Sequence, residues 1–570
     1  MKNILYRAST VSFLTLTMLM LMACSTVGAL GAQKRPTSPY ADYLSARFAS
    51  AEADVQAAAD FYSKAQQKDP NNPQLQQRAM LSAIFASDIK QAAKQARLVL
   101  QTNPDDRMAI LILVAKAMAD RKYNDVETML STTQMSPLNQ VAGGLLQAWA
   151  AQGQGKTDEA LRLLDETATA PVLGQIALFH KALVLTQTDQ SKAAELAFEQ
   201  ALQSGILTSR TAYGWALKYL AEDDTAAMSS LLEQRLRGNA DEIEAGFLTA
   251  KLASNHSLVQ AFATPRQGAA EALFGPAQAF AERNLHDLAM IYLELALHID
   301  PKHDAARNLL ARLIAVQGRD EDALILFAKI DKDSPWYLQT ALNRADTLIR
   351  LDRHEEAING LRVLVVQNPT IKIKRALATA LQVNQQYDEA FVLFSDLIEE
   401  TQDNADWLLY FYRGVSLERT DRWREGVPDF RKAIELQPNQ ADVLNYLGYT
   451  FVDAGENLEE GFALIRRAIE LAPTSGHIVD SLGWGYYRLG RFAEAVIELE
   501  KAVGMEPGDP TINDHLGDAY WQVGRRLEAK FQWQRVLTLE PDEETDLAKI
   551  HAKLKSGLPE LPTSQLAQGR

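Results

Sequence analysis

A period of about 34 residues constrains this chain more than any other feature. Repeats start near Ala270, Asp304, Leu338, Ile371, Trp407, Asp442, Gly476 and Pro510, spaced by 34, 34, 33, 36, 35, 34 and 34 residues. A segment of that length holds two helices and the turn between them. So small a hairpin cannot bury its apolar face unless the next copy covers it. The period therefore predicts an all-α stack in which each repeat leans on its neighbours. At 570 residues the chain is too long for one compact core, and an open array of repeats removes that difficulty.

The residues that recur are those such a hairpin needs. In the repeat from Gly476, Leu482, Gly483 and Tyr486 lie on the first helix, Ala495, Leu499 and Ala502 on the second, and Pro507 ends it. Small side chains at Gly483 and Ala495 let the helices approach closely, and Tyr486 and Leu499 fill the space beside them. Pro507 lacks the donor a longer helix would need. Gly490 falls between the helices, where a left-handed cap conformation costs glycine little. The next repeat carries Leu516, Gly517, Tyr520, Gly524, Ala529, Trp533 and Pro541. Near Asp442 the first-helix signals Leu447, Gly448 and Phe451 stand one residue early, which predicts an extra residue in the turn at Gly455-Glu456-Asn457. Sustained heptads are absent, which argues against a coiled coil.

This pattern resembles the tetratricopeptide-repeat family, most specifically from about 270 to 541, and implies a superhelical solenoid of stacked helix-turn-helix units. Upstream the pattern persists but decays. Tyr40 to Pro70 forms a good repeat, the segment ending at Pro104 is weaker, and Ala182, Ala194, Phe198 and Ala201 mark another. Between 203 and 265 there is helical amphipathicity without the consensus, which fits either a joint between two arrays or irregular repeats. The expected organisation is an N-terminal degenerate array over 40–202, an irregular helical joint over 203–265 and a regular array over 266–541. A polar capping helix over 542–556 and a disordered tail over 557–570 follow.

The first 23 residues read as an export signal. Lys2 and Arg7 precede the apolar run Val11 to Met22, and Ala23 is small, as a cleavage site requires. Cys24, the single cysteine, follows directly, so no internal disulfide can form. Leu21-Met22-Ala23-Cys24 resembles the lipobox of bacterial lipoproteins, in which the cysteine is acylated and becomes the new N-terminus. Ser25, in place of the aspartate typical of inner-membrane retention, implies by that resemblance the periplasmic face of the outer membrane. Residues 24–39 then form the lipidated cysteine and a flexible spacer. Several acyl chains anchor stably where one would not.

Composition narrows the function. The net charge is −15, and −17 once Lys2 and Arg7 leave with the signal. Such a balance argues against nucleic acid and against broad adhesion to anionic lipid. No phosphate-cradling loop, His-Glu-x-x-His helix or Gly-x-Ser-x-Gly elbow is present, so no enzyme, cofactor, metal or small-molecule substrate is expected. The nearest cluster is Asp514, His515 and Asp518, in which the two carboxylates share a face and His515 is expected to point away from it.

Binding surfaces come more readily from this pattern. In a tetratricopeptide superhelix the first helices line the concave side. Counting along the best three repeats places Asn445, Tyr449, Asp480, Trp484, Tyr487, Arg488, Asp514, Asp518 and Trp521 there. Aromatics with carboxylates and an arginine suit the grip of a helix or extended peptide. Alternatively, Tyr449, Trp484 and Trp521 pack between adjacent repeats. The layout as a whole resembles bacterial tetratricopeptide lipoproteins, including adaptors of carboxyl-terminal processing proteases, and implies a scaffold that recruits a periplasmic protease and its cell-wall hydrolase substrates. The alternative is a permanent subunit of an outer-membrane assembly such as a pilus, secretin or polysaccharide-export complex.

Overall fold

The computed structural model describes residues 38–131, 137–171, 173–205, 208–236, 262, 264–541 and 545–558. Cys24, the expected signal, the spacer up to 37 and the tail from 559 lie outside the described residues. Ser38 and Pro39 of the expected spacer instead begin α1, and Gly557 and Leu558 of the expected disordered tail pack against the last hairpin. Twenty-nine α-helices and no strand occupy the described chain. Backbone contacts divide it into two compact units, one of residues through 184 with 264–301, the other of 185–263 with 302–570.

In the first unit α1 (Pro39–Ala51), α3 (Pro73–Phe85), α5 (Arg107–Ala119) and α7 (Pro137–Gly153) are the first helices of successive hairpins. Their second helices are α2 (Val55–Lys68), α4 (Ile89–Thr102), α6 (Tyr123–Ser131) and α8 (Thr157–Ala168). Asp54, Asp88 and Asp106 start α2, α4 and α5 by accepting an N–H from the first turn, at 2.8–2.9 Å. Then α9 (Ile176–Gln187) leads to α10 (Ser191–Gln203), and α11 (Thr208–Ala221) to α12 (Thr225–Leu236).

The upstream half is metrically regular although its consensus decays. A residue with φ near +60° to +80° closes each first helix, at Ala53, Ser87, Arg121, Gly155, Asp189 and Asp223, at intervals of 34. The position where the two helices touch keeps the same interval at Ala58, Ala92, Val126, Ala160, Ala194 and Met228, every one buried. Only one of the six turn residues is glycine, so the turn pays the modest left-handed cost without the residue that advertises it. Part of the expected irregular joint, 208–236, is thus an ordinary helical hairpin. Its interior is built differently: Lys218 is buried between Glu195 at 2.9 Å and Glu222 at 2.7 Å, and Trp215 stacks on Phe198. Residues 237–261 of that joint lie outside the described residues.

The regular array was expected to begin at 266, but the contacts assign its first hairpin to the N-terminal unit. That hairpin is α13 (Pro265–Glu282) and α14 (His286–Ile299). Helix α13 packs on α7, and α14 packs on α5 and α3, all first helices of their hairpins. The chain's own hairpin therefore fills the inner face of this unit. Residues 268–277 and 289–296 are all buried, as expected for a helix that is apolar on every side. Gly268 lies flat on the Trp149 ring, where any Cβ would overlap the indole. Trp149 in turn donates its Nε1–H to His180 Nδ1 at 2.9 Å, and Ser87 Oγ donates to Glu294 at 2.8 Å.

The second unit continues with α15 (Asp304–Val316), α16 (Asp320–Phe327), α17 (Tyr337–Arg350), α18 (His354–Gln367), α19 (Ile371–Val383) and α20 (Tyr387–Thr401). The hairpins α21 (Trp407–Glu418) with α22 (Trp423–Leu436), α23 (Ala441–Ala454) with α24 (Leu458–Leu471), and α25 (Gly476–Arg488) with α26 (Phe492–Met505) follow. The last is α27 (Pro510–Gln522) with α28 (Arg526–Val536), and α29 (Leu547–Ser556) closes the stack. Phe394, Phe430, Leu499 and Trp533 fill one equivalent place in their hairpins and are fully buried. The extra residue expected at 455–457 is accommodated by two left-handed residues, Gly455 and Asn457. The closing helix is less polar than expected, since it buries Ile550 and packs Leu554 and Leu558 against the last hairpin.

Gly268→Val is expected to destabilise the first unit by roughly 1–3 kcal/mol, the usual range for overpacking. Denaturant unfolding, with limited proteolysis of 265–299, measures it. An unchanged midpoint and an intact hairpin would show that the contact with Trp149 does not hold it.

Candidate functional site

Within the second unit, α23, α25 and α27 are the first helices of the last three described hairpins. The positions that do not hold the hairpins together face the inner side. Only neighbours in the stack pack against α23 and α25 among the described helices. The nine residues expected there fall into three groups.

The first group joins α23 to α25 and α27. Trp484 lies parallel to Tyr487, with centroids 4.8 Å apart, and to His515, at 4.0 Å. Its Nε1–H donates to Asp453 Oδ1 at 3.3 Å. Arg488 donates to the Asp453 carbonyl at 2.7 Å and pairs with its carboxylate at 3.3 Å. Asp480 accepts from His515 Nδ1 at 3.0 Å. His515 lies apart from the face on which Asp514 and Asp518 meet Lys553 and turns toward the preceding repeat. Its ring, only 12% exposed, sits over Trp484 while its Nδ1 reaches the carboxylate one repeat back.

Asp514, Asp518 and Trp521 form the second group, which lies under α29. Lys553 Nζ reaches Asp514 at 2.7 and 2.8 Å and Asp518 at 2.9 Å. Asp518 also accepts the indole N–H of Trp533 at 3.0 Å. Trp521 packs beside Trp533, and the Arg526 guanidinium lies 3.9 Å from its ring centre. Asn445 and Tyr449 remain on α23, both half-buried. Asn445 Oδ1 is enclosed without a protein donor among the described residues.

Sequence reasoning missed Asp453, His515 and Lys553. The available signal was their spacing: His515 follows Asp480, Arg488 follows Asp453, and Lys553 follows Asp518, each by 35 residues, one step of the stack. Upstream the same linkage recurs with other chemistry. Thr340 and Asn343 donate to Asn308, and Arg375 pairs with Asp406. Consecutive first helices are thus laced by polar contacts along the inner side.

Charge is held tightly at this end. Burial works against the charged imidazole of His515, yet Asp480, with Asp514 and Asp518 behind it, holds its pKa above the usual value. Burial, then the neighbouring Asp514, pushes the Asp518 carboxyl up to about 6 against the opposing pull of Lys553. Burial and the same carboxylates push the Tyr487 hydroxyl up to about 12.

His477, Glu506 and Asp509 also come together, but as a hydrogen-bonded cluster. The two ring nitrogens face different carboxylates, Nε2 toward Glu506 at 2.5 Å and Nδ1 toward Asp509 at 3.7 Å, which does not suit a single ion. Glu506 also accepts the Gly476 N–H at 2.9 Å, and Asp509 caps α27 through Ile512 N–H at 2.8 Å.

These shifts give a pH dependence of one sign. The folded pKa of His515 lies above the unfolded value of 6.5, so its contribution is complete below 6.5 and is lost as pH rises through the folded value. Asp518 is raised from 3.8 to about 6, so a penalty sets in as pH rises through that window. Unfolding free energy of this unit is expected to fall with rising pH from about 5 to 8. Asp480→Asn should flatten the upper part of the slope. A stability that rises across this range would refute both assignments.

Tetratricopeptide-repeat family patterns match residues 145–206 and 411–476, and a further one matches 480–509. A TPR repeat-containing protein of Pseudomonas aeruginosa is 28% identical over 152 residues, a match covering 26% of this chain and 25% of that relative. The chain thus spans about a quarter of the length of that curated relative. Among solved structures, a chain of the APC/C hetero-tetramer Cut9-Hcn1 is 13% identical with TM-score 0.38, covering 92% of this chain and 97% of that one. Yeast Tom70 is 14% identical with TM-score 0.35, covering 91% and 95%. The segments 145–206, 411–476 and 480–509 are thus similar to tetratricopeptide repeats, and the described chain stacks helical hairpins at that same period.

Proposed function

We propose that this protein is a non-catalytic scaffold that holds a partner protein at an envelope membrane, through the inner face of its C-terminal repeats. One observation carries the reading. In the first unit the inner face is filled by the chain's own hairpin 265–299, whereas in the second the described helices packed most closely on α23 and α25 are their neighbours in the stack. Half-buried Tyr449, Trp484 and Tyr487 stand there beside exposed Arg488 and Asp442. Large aromatics already partly desolvated, flanked by fixed charges, make an anchor for a helix or extended segment of another protein.

Attachment is proposed through Cys24, acylated at the periplasmic face of the outer membrane, with the body reaching into the periplasm. No described helix is long and apolar enough to cross a membrane. The resemblance to adaptor lipoproteins supports a carboxyl-terminal processing protease and its cell-wall hydrolase substrates as partners. The polar inner face, laced by ion pairs, fits a surface that is exposed to water between encounters better than a permanently buried subunit contact.

Affinity capture from envelopes with the full chain tests the binding reading. Tyr449→Ala with Arg488→Ala is expected to weaken capture of the processing protease by roughly tenfold or more, the range of anchor residues, while leaving the helical circular-dichroism signal intact. Undiminished capture by that variant would place the partner elsewhere. Cys24→Ser is expected to move the protein from the membrane pellet to the soluble fraction, and a variant that still pelleted would remove the lipid anchor.

A further inference from the structure

We propose that α29 is a displaceable occupant of a binding site on the last repeat. The segment that replaces it is inferred to be a short amphipathic helix of a partner protein, carrying a lysine or arginine among leucine-type side chains. This rests on the protein-binding reading above and gives that partner a chemical description.

The argument begins with where α29 sits. It starts 37 residues after α27, about where the first helix of another repeat would stand, yet no second helix follows it among the described residues. Among the described residues its contacts therefore come from one side. Its contacts form one stripe, Ile550, Lys553, Leu554 and Gly557, spaced as one face of a helix, with Leu558 just beyond. The remaining residues, Leu547 to Lys549, His551, Ala552, Lys555 and Ser556, are exposed. Only Ile550 is fully buried, and ten residues are too few for a helix to persist alone in water. Release of α29 is thus a single step, in which the segment leaves its site and loses its helix together.

Underneath, the site is built for such a ligand. Asp514 and Asp518 both converge on Lys553. Beside them the rings of Trp521 and Trp533 and the side chain of Leu516 make an apolar floor. One repeat earlier the same place is taken by a covalent neighbour, with His515 against Asp480 at the same spacing of 35 residues. The last steps of the inner face, Asp453 to Arg488, Asp480 to His515 and Asp518 to Lys553, therefore each present a carboxylate to a basic group from the next helix. At the last step that helix is a detachable one. When α29 leaves, two carboxylates one turn apart and the Trp521 ring beside them are uncovered, and they call for a cation with flanking apolar groups.

Gly557 supplies the means of testing this. Its φ of +72° is disfavoured for other residues, and a Cβ there would overlap the Trp521 ring. Gly557→Ala in the full chain should hold α29 off while leaving Asp514, Asp518 and Trp521 unchanged. A labelled synthetic peptide of residues 545–558 is the probe. It is expected to bind the Gly557→Ala chain at least ~10-fold more tightly than the natural chain, whose own helix competes. The same peptide with Lys553→Glu should lose that binding. In the natural chain, amide hydrogen exchange over 547–556 is expected to be at least ~100-fold faster than over α27. Equal peptide affinity for both chains, or exchange of α29 as slow as α27, would make it a permanent cap and overturn the proposal. If the Gly557→Ala chain loses helical signal beyond α29, the exchange rates of the natural chain decide alone. Failure here, with partner capture still sensitive to Tyr449→Ala, overturns only the α29 proposal and leaves the scaffold reading standing.

Discussion

An isolated 34-residue hairpin buries too little apolar surface to offset the entropy of ordering its own backbone, so each repeat depends on cover from the next. Everything else in the molecule answers to that dependence. Inside a hairpin it is met by a small residue against a large one, as with Gly517 against Trp533. Between hairpins it is met by the next first helix. At places where the stack offers an uncovered face, the chain supplies something else: the hairpin 265–299 against α3, α5 and α7, and the short α29 against α27 and α28. Those two covers differ in kind. The hairpin is buried on nearly every side, whereas α29 buries one residue fully and leans on one lysine.

The residues that hold each hairpin together were the ones legible in the sequence. Gly483 has no room for a side chain, since Leu499 stands 2.6 Å from where a Cβ would lie, and Ala495 and Leu499 are themselves fully buried. The register of the upstream half was harder to read. Its turn residues at Ala53, Ser87, Arg121 and Asp189 tolerate the left-handed conformation without glycine, and Val126 and Met228 stand where alanine is usual. Spacing survives there while identity drifts. Nor could the sequence place 265–299 in the N-terminal unit. Its consensus residues fit the downstream array equally well, and the deciding contact, Gly268 on Trp149, spans more than a hundred residues. Its unbroken apolar composition was the clue, since a helix open to water on its inner side would be amphipathic.

At the inner face, the sequence located the residues but not their partners. Counting along the repeats correctly put Asp480, Trp484 and Asp514 on the first helices, because helical spacing fixes that. Which side chain each one meets depends on the step from one repeat to the next, and that step is a property of packing. Asp480 on its own reads as an acid open to a ligand, but it is already engaged by His515, and Asp453 by Arg488 and Trp484.

This lacing has a consequence for recognition. Carboxylates buried among aromatics are costly unless paired, and a pair formed inside the stack removes that cost once and for all. The middle of the inner face therefore keeps its charges satisfied, and its aromatic rings and the exposed Arg488 and Asp442 are what it can offer a visitor. The last repeat differs because its carboxylates are satisfied by a segment whose described contacts come from one side. Burial, then Asp514, pushes the Asp518 carboxyl up to about 6 against the pull of Lys553, which reaches both carboxylates. On the two proposals, these surfaces would ask for different features of a partner, contact with aromatic rings along α23 and α25, and a basic group among apolar ones at α27. A single long helix or two separate segments could present both, and the order of those features along the partner would follow the order of the repeats.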